Sequence, residues 1–352
     1  MGSHDLRLAL RVRARTCAPA ALGRRCYHEV PLYPASRSTA GDAADDAADE
    51  ASEAEGTGAG DAVERGTFDR SGIPLRVITA ASLFDGHDAA INVMRRLIQA
   101  AGCEVIHLGH DRSALDVVKA AIEEDAHAVA LTSYQGGHME YFTYIRELLN
   151  DAGRADIHIF GGGGGTITPP EIRDLHAAGI TRIYSPDDGR QMGLLGMIDD
   201  LVTRASDSDL MSESSLSELE GELTPDNRGG IARLITAAEN ADPVHLAQLI
   251  KTCRSRSDEQ RVPVIGLTGT GGAGKSSLID ELMLRITTQN PELKIALLCT
   301  DPTRKRTGGA LLGDRIRMNT LSNENLFMRS LASRDGGREI SEKTHESIEV
   351  CQ

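Results

Sequence analysis

"LRVITAASLFDGHDAAINV" (Leu75–Val93) runs from mainly apolar residues into an acid, a glycine, a histidine and a second acid, then into apolar residues at helical spacing. A run such as "LRVITAA", with no polar alternation, suits a strand covered on both faces. Asp85 and His87 then stand where that strand surfaces, just before a helix. The pattern repeats: "EVIHLG", "AVALTS", "DIHIFGG" and "ITRIYS" are strand-like, with helical stretches such as "AAINVMRRLIQAAG" and "ALDVVKAAIEEDA" between them. Gly102 and Gly179 follow helical runs and read as helix stops. Five strands alternating with helices predict an α/β domain with a doubly wound parallel sheet over residues 73–205.

The rest of the chain divides by composition. Residues 1–72 open with an Arg- and Ala-rich stretch and continue through "GDAADDAADEASEAEGTGAGDAVE", which has almost nothing large and apolar to bury. They are expected to be disordered. The first piece also reads as an organellar transit peptide or, given its opening "MGSH", as a non-native extension. Residues 206–229 read as an acidic, Ser-rich linker, and residues 230–352 as a second α/β unit starting at "RVPVIGLTG". No run of about 18 apolar residues exists, so no membrane span is expected. A net charge of −14, 3% aromatics and no Trp disfavour nucleic acid as partner. The six cysteines show no CxxC spacing, which argues against a zinc ribbon or a disulfide scaffold and for a reducing cytoplasm.

In the flavodoxin-like strand order the first and third strands are neighbours, and ligands bind beyond the carboxyl ends of the strands. The unusual residues lie in those loops: Asp85, Gly86 and His87 after the first strand, Ser133, Tyr134 and Gln135 after the third, Gly161 to Gly165 and Thr166 after the fourth, and Ser185-Pro186 after the fifth. A phospho-acceptor receiver needs an aspartate after the third strand and a lysine after the fifth, where this chain has Thr132-Ser133 and Ser185. A flavin site needs a Ser/Thr-rich phosphate loop after the first strand. An imidazole with an acid two residues away suits a metal, because the acid can hold one ring nitrogen and orient the other. A solvated loop histidine and a flexible glycine loop are the plain alternatives.

"DGHDAA", "TSYQGGH" and "FGGGGGTITPPEI" together resemble the three signatures of cobalamin-binding domains, over roughly residues 74–204. The resemblance implies that His87 is the lower cobalt ligand, replacing the dimethylbenzimidazole base. It implies Asp85 behind it, Ser133 touching the displaced nucleotide tail, Gly161 and Gly162 lining the tail's channel, and Gly86, Gln135 and Thr166 as further cofactor-binding residues. Two positions depart from the family pattern. Ala90 stands where a glycine is usual, and Ser133-Tyr134-Gln135 replaces Ser-x-Leu.

In the second unit "GTGGAGKSS" (269–277) matches GxxxxGK[ST] between the strand "PVIGLT" and the helix "SLIDELMLRI". Backbone N–H groups of Gly269, Gly271, Gly272, Ala273 and Gly274 are expected to cradle phosphates. Lys275 should reach the terminal phosphates, Ser276 should bind Mg²⁺, and Ser277 should close the motif. Asp301 ends the next apolar strand. The segment "ALLCTDPTRKRTGGALLGDRIRM" resembles the GTPase chaperones of acyl-CoA mutases, which implies Asp301 and Asp314 near Mg²⁺. With the cobalamin-like domain in front, the arrangement resembles the fused isobutyryl-CoA mutase family. That implies adenosylcobalamin and GTP with Mg²⁺ as cofactors, an acyl-CoA substrate on a further barrel, and a homodimer. A cobalamin carrier or chaperone gated by the P-loop unit is the alternative. No DxxG follows the P-loop, no NKxD occurs, and about 90 residues follow Val262, whereas a barrel alone takes about 250. The chain is therefore expected to be the front part of such an enzyme and to bind nucleotide weakly by itself.

Overall fold

In the computed structural model the described residues are 8–13 (backbone only), 74–206, 224–240, 243–256, 262–270, 272–301, 303, 309–334 and 341–352. Their strands and helices are, in chain order, β1 (Leu8–Arg13), β2 (Arg76–Ser82), α1 (Asp88–Ala100), β3 (Glu104–Arg112), α2 (Ala114–Glu123), β4 (Ala128–Thr132), α3 (His138–Asp151), β5 (His158–Gly162), α4 (Pro169–Ala177), β6 (Arg182–Tyr184), α5 (Pro186–Ala205), α6 (Arg228–Asn240), α7 (Pro243–Arg256), β7 (Val264–Leu267), α8 (Lys275–Gln289), β8 (Lys294–Asp301), β9 (Ala310–Leu312), β10 (Leu326–Ala332) and α9 (Thr344–Cys351).

The first sheet has the order β6-β5-β4-β2-β3-β9, and each neighbouring pair is parallel. Within residues 76–184 this is the flavodoxin-like doubly wound order, with β2 beside β4. Every residue of β2 is buried, as a strand covered on both faces requires. Successive side chains feed opposite layers. Ile78 joins the cluster under α2, α3 and α4 with Val117, Phe142 and Leu175, while Val77 joins Ile98, Phe160 and Leu201 under α1 and α5. Helix starts are capped where Ser or Thr precedes an acid by three residues: Ser113 with Asp116, Thr168 with Glu171, and Ser185 with Asp188. Gly102 and Gly179 both have φ +92, the left-handed conformation that ends a helix. Among the described residues no helix is long and apolar enough to cross a membrane.

The second sheet has the order β10-β8-β1-β7. β10 is parallel to β8, and β1 is antiparallel to both β8 and β7, with Leu8 opposite Cys299 and Leu267. This corrects the expectation that residues 1–72 hold no ordered structure. Composition judges whether a segment can bury a core of its own, whereas a strand needs only free edges to pair with. The rest of that extension lies outside the described residues, as do 207–223 of the expected linker; α6 already begins at Arg228, before the linker's expected end.

The boundary expected between the two units is also crossed in space. Strand β9, from the second unit by sequence, pairs with β3 as the sixth strand of the first sheet. Behind this edge lies a buried ionic network. Arg76, 1% exposed, donates from Nη1 to Glu104 Oε2 (2.6 Å), from Nη2 to Glu124 Oε2 (2.7 Å) and the carbonyl of Ser330 (2.9 Å), and from Nε to the carbonyl of Glu124 (2.8 Å). Arg315 donates from Nε to Glu124 Oε1 (2.7 Å) and from Nη2 to Glu123 Oε2 (2.7 Å). Arg334 adds a bond to Glu104 (2.8 Å). Burial opposes the charge on Glu124, but the Arg315 and Arg76 guanidiniums outweigh it and hold the carboxyl below its ordinary range.

Candidate functional site

Two candidate sites follow the carboxyl ends of strands. The first joins the loops after β2 and β4. Asp85 is 1% exposed, and its two oxygens serve different partners. Oδ1 lies 2.8 Å from His87 Nδ1 and accepts the His87 amide at 2.9 Å. Oδ2 accepts the Tyr134 amide at 2.6 Å. Burial alone would raise the Asp85 carboxyl, but these amides, Tyr134's first, and the His87 ring together hold it below its ordinary value. The His87 side chain is 74% exposed, and its Nε2 makes no hydrogen bond among the described residues. Its ring centroid lies 5.5 Å from that of Tyr134. An oriented imidazole with one free nitrogen is what a single-histidine metal ligand requires.

The other expected residues of this site take varied places. Ser133 is fully buried: it accepts a hydrogen bond from Ser82 Oγ at 2.9 Å, and its amide donates to the Gly162 carbonyl at 2.9 Å. It thus ties the ends of β2, β4 and β5 together. Gln135 Oε1 accepts the Gly137 amide at 2.7 Å, so in this conformation the side chain braces the entry to α3. Gly86 has open space around an added Cβ. Thr166 is exposed at the end of a 3-10 turn, Gly164–Thr166.

The glycine run has more than one cause. At Gly161 a Cβ would stand 2.5 Å from the Phe142 ring and 2.8 Å from Ile183. Its bareness therefore serves packing under α3. The pleat turns Gly162 to the opposite face, where a Cβ meets only the Tyr184 carbonyl at 3.5 Å. A Cβ at Gly163 would sit 2.0 Å from the Ser133 carbonyl oxygen, a contact with backbone that cannot be relieved cheaply. Gly163→Ala is expected to lose about 2 kcal/mol or more of stability, and Gly162→Ala about 1 kcal/mol or less. Equal denaturant midpoints for the two variants would refute this division.

The second site surrounds the P-loop. Gly272 (φ +73) and Gly274 (φ +80) take left-handed conformations, which lets α8 begin directly at Lys275. Lys275 Nζ donates to the carbonyls of Gly269 (2.5 Å) and Thr270 (2.8 Å), bracing the loop. Ala273 contributes an amide to the Thr270 carbonyl, and Ser277 is exposed on the first turn of α8. Gly271 lies outside the described residues.

Ser276, Asp301 and Asp314 come together as expected. Ser276 Oγ donates to Asp314 Oδ1 at 3.4 Å, and the Gly313 amide donates to Asp301 Oδ2 at 3.2 Å. Burial, then the charge of Asp314, pushes the Asp301 carboxyl up to about 8; burial raises Asp314 as well. Asp314 Oδ2 is buried with no hydrogen-bond partner. Two such carboxylates beside a P-loop serine fit a hard divalent cation that keeps waters and phosphate oxygens as its other ligands. Among the described residues no group of three or more His, Cys, Asp or Glu could hold a metal ion by itself.

Sequence reasoning missed Ser82, partner of Ser133, and the Tyr134 amide, because backbone donors leave no mark in a sequence. It also passed over Phe84, which is 83% exposed with φ +64 immediately before Asp85. A large apolar residue beside "DGHD" was the available signal.

Comparison with known proteins fits this geometry. Residues 75–188 match the family "B12 binding domain", and residues 231–352 match "Methylmalonyl Co-A mutase-associated GTPase MeaB". The fused isobutyryl-CoA mutase of Cupriavidus metallidurans is 53% identical over 281 residues, which is 79% of this chain and 25% of that protein. That of Geobacillus kaustophilus is 49% identical over 284 residues, 79% of this chain and 26% of that protein. A putative GTPase of Pyrococcus horikoshii is 36% identical over 136 residues, 38% of this chain and 41% of that protein. The chain spans about a quarter of the length of the curated mutases it matches.

Proposed function

We propose that this chain, a homologue of the fused isobutyryl-CoA mutases with a B12-binding domain and a GTPase segment, is the part of an acyl-CoA carbon-skeleton mutase that binds adenosylcobalamin and Mg²⁺-GTP. The observation that carries the reading is Asp85. One carboxylate fixes both the His87 ring and the loop after β4, so His87 Nε2 is presented outward at the sheet edge where ligands of this fold bind.

His87 would hold cobalt through Nε2, with Asp85 keeping the proton on Nδ1 and raising the basicity of the ligating nitrogen. The bound cofactor would supply the radical chemistry by homolysis of its cobalt–carbon bond. This chain's residues bind and orient it: Gly162 leaves room beside β5, and Ser133 keeps the ends of β2, β4 and β5 in register. In the second site Lys275 would exchange its loop carbonyls for phosphate oxygens, while Ser276, Asp301 and Asp314 would hold Mg²⁺.

The acyl-CoA barrel and a homodimer belong to this reading as properties of the longer protein, together with the domain limits 73–205 and 230–352. A cytoplasmic location is part of it too, supported by the bacterial sources of its relatives.

Absorbance titration with adenosylcobalamin tests the first site directly. Asp85→Asn should weaken binding about 10- to 100-fold, and Gly162→Val should block binding while the fold persists, because a branched side chain fills the open face. Tight binding by both variants would overturn the assignment.

The second site predicts an effect of opposite sign on stability. Asp314→Asn removes one of two mutually repelling buried carboxylates, so it should raise the thermal midpoint without metal. It should also remove the stabilisation that Mg²⁺ gives the unaltered chain. A Mg²⁺ effect that survives in Asp314→Asn places the cation elsewhere.

A further inference from the structure

Four described residues other than glycine take a positive φ: Phe84, Asp111, Asp125 and Arg334. Three of them have a local reason. Aspartate tolerates the left-handed region, Asp125 also pairs with Arg154 at 3.1 Å, and Arg334 reaches Glu104 at 2.8 Å. Phe84 has none. It is the third residue of a turn, Ser82 to Asp85, closed by the Asp85 amide donating to the Ser82 carbonyl at 3.1 Å. With φ +64, that position favours glycine or asparagine, and a bulky residue there is strained. Phe84 is also 83% exposed, and among the described residues its ring stacks on no other ring. Backbone strain and apolar surface in water thus fall on one residue, and no contact inside the protein offsets them.

The place of the residue says what the ring is for. Asp85, next in the chain, is buried and lies 2.8 Å from His87 Nδ1, while Gly86, His87, Asp88 and Ala89 are exposed like Phe84. The outward Nε2 of His87 therefore sits in an open loop that carries one large apolar side chain. A macrocycle ligated at its centre overhangs the groups around the ligating nitrogen, and the rim of a corrin is apolar between its amide arms. We infer that Phe84 is a further cofactor-binding residue, whose ring packs on the rim of the cobalamin macrocycle from the side on which His87 ligates cobalt. The inference rests on the cobalamin reading above and adds a residue to it. Burying the ring against the cofactor removes apolar surface from water only in the complex, which offsets there what strain and exposure cost the free chain. Because the ring lies on the histidine side, the ligand on the opposite face of cobalt should not matter.

Two variants of the 352-residue chain test it, by absorbance titration with adenosylcobalamin and with hydroxocobalamin and by thermal unfolding without ligand. Asparagine suits the turn, so Phe84→Asn should raise the thermal midpoint of the free chain by about 2–4 °C. The same variant should bind both cobalamins about 10-fold more weakly. At saturation it should still show the histidine-ligated spectrum, which separates loss of the ring from loss of the cobalt ligand. Phe84→Tyr keeps both the ring and the strain, so it should bind and unfold as the unaltered chain does. A stabilised protein that binds less well cannot owe the defect to misfolding. Unchanged affinity in Phe84→Asn, or a loss confined to adenosylcobalamin, overturns the proposal, because the ring then meets some other surface. A lowered thermal midpoint in Phe84→Asn assigns the ring a structural role and overturns it as well. Failure of the unaltered chain to bind either cobalamin overturns the functional reading beneath it instead.

Discussion

His87→Ala is expected to lose the histidine-ligated absorbance spectrum of bound cobalamin and to weaken binding about 100-fold or more, beyond the usual effect of losing a supporting residue. The fold should survive the change. The side chain is 74% exposed, and its hydrogen bond goes to an Asp85 that keeps two backbone amides, so stability should move by about 0.5 kcal/mol or less. That separation makes the test informative, because a binding defect would not trace to unfolding. An unchanged spectrum and affinity would return His87 to an ordinary loop histidine.

Arg76→Ala has the largest expected effect on stability. It leaves the Glu104 and Glu124 carboxylates short of a guanidinium where water cannot reach them, and breaking one partner of a buried pair costs about 3–5 kcal/mol. Against a typical total of about 5–15 kcal/mol, much of the chain would unfold under mild denaturant. Acid should show the same dependence in the unaltered protein. Burial opposes the charge on Glu104 and Glu124, but the surrounding guanidiniums hold both carboxyls below the ordinary value of 4.5. Their stabilising share is therefore fully present above that pH and is lost as pH falls through the depressed values. Urea midpoints across pH 3 to 7 measure both effects. A loss below about 1 kcal/mol in Arg76→Ala would mean that these charges are solvated.

The first sheet was legible because its strands are buried on both faces. "LRVITAA" and "AVALTS" are mostly apolar on both faces, with no alternation, and that pattern is written residue by residue. The P-loop was legible for a related reason: Gly272 and Gly274 take conformations that few other residues tolerate, and Lys275 and Ser276 must follow at fixed spacing. Asp85 and His87 are two residues apart, so their hydrogen bond is nearly a local property. Tertiary structure decided what depends on distant partners. "IEEDA" at the end of α2 reads as an acidic helix terminus, a place the helix dipole disfavours for acids. Its burial became visible only when Arg76 and Arg315 arrived from two other parts of the chain. The two faces of the glycine run were likewise set by Phe142 and Ser133 rather than by the run itself. β9 is three residues long, and nothing in "ALL" states which sheet it will join. Local residues determine which strands and turns can form, because φ and burial act position by position. Which edge a short strand meets, and which charges are buried together, depends on contacts between residues as far apart as Arg76 and Ser330, and only the folded chain supplies them.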